Sequence, residues 1–88
     1  MHETALVKNL AKKMESVVLN REGMRPVSSK IRIHPLFFPS EPFFREQFAL
    51  QVRGTILEGI SLEIVWMDEE DLSSLDGIFL ESMEVIPK

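Results

Sequence analysis

The sequence predicts an α+β fold of two helices packed on one face of a three-stranded mixed β-sheet, in the order helix, strand, helix, strand, strand. Three observations predict it. Apolar residues recur at three- and four-residue steps in two stretches and at every second position in three others. Gly and Pro punctuate the gaps between these stretches. The strand, helix, strand spacing in the middle of the chain favours a right-handed crossover joining parallel neighbours.

From Thr4 to Asn20, Leu6, Val7, Leu10, Met14, Val17 and Val18 form an apolar stripe, with Lys8, Lys12, Lys13 and Glu15 off it. Gly23 supplies a left-handed stop and Pro26 prevents continuation. Val27 to His34 reads as a strand with Ile31 and Ile33 on one side and Lys30, Arg32 and His34 on a wet side. Pro35, Pro39 and Pro42 break the next segment, whose Leu36, Phe37 and Phe38 either cap the core or form a contact surface for a partner. Ser40 is placed to cap a second helix, Glu41 to about Arg53, with Phe44, Phe48 and Val52 on one face. Gly54 and Gly59 bracket a turn, and Ser61 to Met67 alternates with Leu62, Ile64 and Trp66 inward. The acidic stretch 68–76 reads as a solvated loop. Gly77 to Pro87 gives the third strand, whose change of parity around Glu81 and Ser82 indicates a β-bulge. The short link between the last two strands favours an antiparallel hairpin.

With 88 residues the chain reads as a single domain, residues 1–88, with one thin core. Hydrophobic residues make up 44% and charged residues 27%, which excludes the disordered and fibrous extremes. The absence of Cys removes thiolate zinc sites and thiol chemistry. No apolar run is long enough for a membrane span, and the first residues lack the layout of a signal peptide, so the expectation is a cytoplasmic protein without a membrane role. A net charge of −4 argues against nucleic acid as partner, since binding it needs a basic footprint.

Catalytic motifs are absent or weak. The chain has two His residues, neither in a triad-like local motif, and no Gly-rich phosphate cradle. His34 reads either as a surface residue at a strand end or as a distant metal ligand. The cluster Asp68, Glu69, Glu70 and Asp71 lacks the ligand alternation and central Gly of a calcium loop. The chemically richest stretch is Met1-His2-Glu3, where an amine, an imidazole and a carboxylate fall within one turn. Two readings are open for it: a frayed, solvated helix start, or nitrogen ligands for Ni(II) or Cu(II).

Several stretches together resemble the HypA/HybF family of hydrogenase-maturation nickel-insertion proteins. The opening MHETALVKNLAKKME resembles that family's Met-His-Glu start running into an amphipathic helix. The run FFREQFALQVRGTILEGISLEI is similar to its second helix, Arg-Gly-Thr turn and Leu-Glu-Ile strand, and FLESMEV resembles its closing strand. The resemblance implies a non-enzymatic nickel metallochaperone that delivers Ni(II) to a hydrogenase, or urease, maturation partner. The expected partners are a maturation GTPase or the hydrogenase large subunit. It also implies that the nickel ligands come from Met1, His2 and Glu3. Retention of Met1 is expected because His2 is too large for the usual removal of the initiator residue. Family members carry a four-Cys zinc domain where this chain has the acidic loop 68–76, so no zinc is expected.

Two other functions are open. One is a HypA-like interaction or regulatory module that binds a partner through Leu36, Phe37 and Phe38 and has lost metal delivery. The other is an enzyme that uses Asp68, Glu69 and Asp71 around a divalent ion. A homodimer is expected to be possible through the aromatic segment.

Overall fold

A computed structural model describes residues 3–38, 40–70 and 77–88. Its elements are α1 (Glu3–Leu19), β1 (Met24–Ile33), α2 (Glu41–Val52), β2 (Ser61–Trp66) and β3 (Ile78–Pro87). The sheet is mixed, in the order β2-β1-β3, with β1 parallel to β2 and antiparallel to β3.

The α1 stripe is built as the periodicity requires. Val7, Leu10, Ala11, Met14 and Val18 are buried, while Lys8, Lys12 and Lys13 are exposed. Gly23 adopts φ 81° just past the helix, where a side chain would be strained, and Met24 N–H donates to Arg21 O at 3.1 Å to close the turn into β1. Ser40 caps α2 as expected, its Oγ accepting from Phe43 N–H at 3.2 Å. Phe44, Phe48 and Val52 are the buried face of α2. Phe38 meets Phe44 edge-on at 5.2 Å, and Phe44 lies over Phe48 at 6.1 Å.

These side chains join Ile31 and Ile33 of β1 and Leu57 of the turn after α2 in one core cluster. Leu62 and Ile64 from β2, and Ile78, Leu80, Met83 and Val85 from β3, pack against it. The opposite parity of the sheet carries its charged residues, with Val65 and Phe79 beside Arg32. Lys30 bridges Glu81 at 3.3 Å and Glu63 at 4.0 Å, and Arg32 reaches Glu81 at 3.5 Å. All of these groups are substantially exposed, so each pair stabilises the fold by well under about 1 kcal/mol.

Two expectations are corrected. The hairpin between the last two strands does not form, because β3 pairs with β1. Both β1 and β3 are ten residues long and β2 is six, so pairing the two long strands satisfies more backbone groups than a hairpin would. The described ends of the connection, residues 67–70 and Gly77, bond to the end of β1 from its two sides, between strands about 10 Å apart. Trp66 is the second correction. It shares parity with Leu62 and Ile64, but it pairs with Ile33, the last residue of β1, and there the core ends. Trp66 remains 37% exposed, and the following Met67 is buried.

The bulge falls where the parity change placed it. The register runs from Lys30↔Ser82 to Ile31↔Leu80, leaving Glu81 as the extra residue. Ser29, buried on the core side, donates its hydroxyl to Ser82 O at 2.8 Å, so the bulge also satisfies a buried polar group. A second register shift lies at Pro26 and Ser28, where β1 has β3 but not yet β2 alongside and a missing N–H is tolerated.

Gly77 is the one glycine whose replacement meets both strain and a clash. It has φ 74°, and a Cβ there would overlap the Phe37 ring, whereas Gly54, at φ 78°, faces open space. Gly77→Ala is therefore expected to destabilise the protein by about 2–4 kcal/mol, against about 1–2 kcal/mol for Gly54→Ala. Denaturant unfolding of both variants, alone and with Phe37→Ala, checks this: the Phe37 change should remove the excess cost at residue 77.

Candidate functional site

Met1 and His2, the leading candidate ligands, lie outside the described residues, as does the side chain of Glu3. What is described is the frame that receives them. α1 is described from Glu3, the last residue of the triplet and the first of the described residues. The first four N–H groups of a helix have no acceptor within it. The amide of Glu3 is one of these, and using it as a metal ligand costs no helical hydrogen bond. One residue on, the Thr4 hydroxyl donates to Gln47 Oε1 of α2 at 3.4 Å, which sets this end of α1 beside the middle of α2.

The other carboxylates and imidazole do not assemble a site. Among the described residues no group of three or more His, Asp or Glu side chains is arranged to hold a metal ion. In the acidic stretch, Asp68 Oδ1 accepts the Glu70 N–H at 3.1 Å in a local turn, and Asp68, Glu69 and Glu70 are exposed. Asp71 to Asp76 lie outside the described residues.

His34 is neither of the things its sequence context suggested. It is 2% exposed, and both ring nitrogens are in use. Nδ1 accepts the Leu36 N–H at 3.2 Å, so the proton of the neutral ring resides on Nε2, which donates to Glu69 O at 3.1 Å. A ring with both nitrogens so engaged has no lone pair to offer a metal. The residue turns inward because β1 has ended: its own N–H donates to Gly77 O at 2.8 Å, and its O accepts from Phe37 N–H at 3.1 Å. Phe37 stands edge-on to the imidazole, ring centres 6.0 Å apart. His34 therefore binds the turn 35–37 to both ends of the connection that crosses over β1.

The candidate contact residues separate. Leu36 is 74% exposed and Phe37 38%, whereas Phe38 is 2% exposed and belongs to the core. A Pro-rich turn with three successive apolar residues cannot present all of them to one side, and sequence alone does not say which one is buried. His34 carried no local signal of its role, because its acceptors, Glu69 O and Gly77 O, come from a distant segment.

No family model, curated protein or solved structure matches the chain. No helix among the described residues is long and apolar enough to cross a membrane.

His34→Ala removes a buried donor and acceptor and orphans two backbone groups. Its expected cost is about 2–4 kcal/mol by denaturant unfolding. The Leu36 amide, which donates to the ring in the native protein, should exchange with solvent markedly faster, and the amides of α1 should show no such local change beyond the global loss.

Proposed function

We propose that the protein is a HypA-like, non-enzymatic nickel metallochaperone that takes Ni(II) at Met1, His2 and Glu3 and passes it to a hydrogenase or urease maturation partner. The observation that carries this reading is the consecutive Met1-His2-Glu3 triplet leading into α1, which is described from Glu3 onward. The first four N–H groups of a helix have no acceptor within it, so backbone nitrogens at this end are available beside an imidazole and, where Met1 is the first residue, a terminal amine. Two deprotonated amides balance the charge of a divalent ion, so the resulting nitrogen-rich complex is neutral and does not oppose the positive end of the α1 dipole. Nitrogen ligands in a square plane favour Ni(II) or Cu(II) over Mg(II) or Ca(II).

The resemblance to the HypA/HybF family supplies the cargo and the partners. The RGT turn, the LEI strand and FLESMEV follow the MHE start in that family's order, on the segment after α2, β2 and β3 respectively. Without Cys the chain has no family zinc centre, so release of nickel is not coupled to zinc. A cytoplasmic location belongs to the same reading.

A second reading is favoured by one observation, the exposure of Leu36 and Phe37 on a turn held rigid from below by His34. There the chain is an interaction module of the same ancestry, and Leu36 and Phe37 carry the contact without Phe38.

Calorimetric titration of protein with a native N-terminus separates the two. The chaperone reading expects one Ni(II) per chain and loss of at least tenfold in affinity on His2→Ala or on adding a single residue before Met1. Binding should tighten as pH rises from about 6 to 8, because protons on the imidazole and on the terminal amine compete with the metal. No stoichiometric binding, or binding indifferent to His2→Ala, would contradict it.

A further inference from the structure

We propose that a cleft at the C-terminal end of α1 binds an amphiphilic carboxylate, with its alkyl chain in the cleft and its head group at Arg21, Arg25 and Lys88. The cleft has a volume of about 330 Å³. Val18 forms its buried floor, Met24 and Pro26 of β1 one wall, and Leu19 and Ile56 the lips. Leu19 is 71% exposed and Ile56 45%, so two aliphatic side chains stand in water around an apolar hollow. This site is independent of the nickel reading: α1 has 17 residues, which puts the cleft about 25 Å from Glu3.

Charge identifies the head group. In a chain of net charge −4, the cleft is lined by three cationic side chains and one carboxylate side chain, Glu22, so the side chains leave an excess of positive charge even where Lys88 adds a terminal carboxylate. Lys30 and Arg32 are matched by Glu81, and Arg45 by Glu41 at 2.9 Å; Lys8, Lys12, Lys13 and Arg53 have no ion pair among the described residues but are spread over other surfaces, away from the cleft lining. Arg21, Arg25 and Lys88 form no ion pair with a carboxylate among the described residues. Burial of an alkyl chain would cover Leu19 and Ile56, and each buried methylene contributes about 0.8 kcal/mol.

The backbone at the cleft favours an alkyl chain over a peptide. The N–H groups of Met24 and Lys88 are already given to Arg21 O and Gly23 O. The part of β1 before Ser28, which has no β2 alongside, includes Pro26, a residue with no N–H to offer an added strand. A peptide laid here would leave its own backbone groups unpaired, whereas an alkyl chain has none to satisfy. The volume lies at the small end of ligand pockets, which suits one chain and excludes a multi-ring cofactor.

The test is an NMR titration of the full chain with decanoate, decanol and acetate, each below its aggregation limit. Decanoate is expected to saturate at one per chain and to shift signals of Leu19, Met24 and Ile56. Decanol should bind at least tenfold more weakly, and acetate should cause no saturable shift. The double variant Arg21→Glu, Arg25→Glu should lose at least tenfold in decanoate affinity. Should it unfold, Ile56→Asp at the half-exposed lip makes the same test of the chain-binding end. Equal affinity for decanol, unchanged binding by folded variants, or shifts centred on another surface would overturn the assignment.

Discussion

The structure depends on β1 lying between β2 and β3. This one strand is parallel to its neighbour on one side and antiparallel on the other, so the link from β2 to β3 must pass over its end. The crossing is tied down at both feet: Met67 N–H donates to Ile33 O at 2.8 Å, and Gly77 O accepts from His34 N–H at 2.8 Å. Between them the buried imidazole of His34 holds Glu69 O with one nitrogen and the Leu36 amide with the other. A single residue just past the strand thus satisfies backbone groups from both loops that meet there. An apolar residue in its place would leave those groups without their protein partner.

That knot sets the division of the PLFFP segment. With Pro35 following His34 and Phe37 N–H returned to His34 O, the turn points Leu36 outward and swings Phe37 over Gly77. Phe38 then drops onto Phe44, where the aromatic row continues to Phe48. α2 is anchored at its other side by Arg45, whose Nη2 donates to Leu62 O of β2 at 3.0 Å. At the far end of α2, the Thr55 hydroxyl donates to Val52 O at 2.7 Å and accepts from Leu57 N–H at 3.1 Å, which turns Leu57 fully into the core. The Arg-Gly-Thr turn is accordingly a structural device that inserts a core residue between helix and strand.

Local periodicity made much of this legible. The α1 stripe, the Ser40 cap, the Phe44, Phe48 and Val52 face, the parallel β1 and β2 pair and the bulge at Glu81 all follow from spacing and turn chemistry over a few residues. Partnerships between distant segments were not legible. The choice of β1 over β2 as partner for β3 depends on comparing strand lengths that sequence delimits poorly. The burial of His34 depends on a carbonyl 35 residues away. The basic-rimmed cleft draws on α1, β1, the turn after α2 and the end of β3, and no stretch of sequence contains it. For the proposed metal site the position is reversed: Met1, His2 and Glu3 are consecutive, so their chemistry is written locally.

Nickel capture at the start of α1 is the central functional claim, and its signature is the fate of the Glu3 amide. Square-planar Ni(II) is diamagnetic, so an amide signal lost on binding reports loss of its proton. Heteronuclear NMR of the native protein with one equivalent of Ni(II) should show the His2 and Glu3 amide signals vanish while those from Thr4 to Leu19 persist with small shifts. Persistence of both amide protons, with the nickel-dependent changes gathered instead around Asp68 to Glu70, would contradict the account.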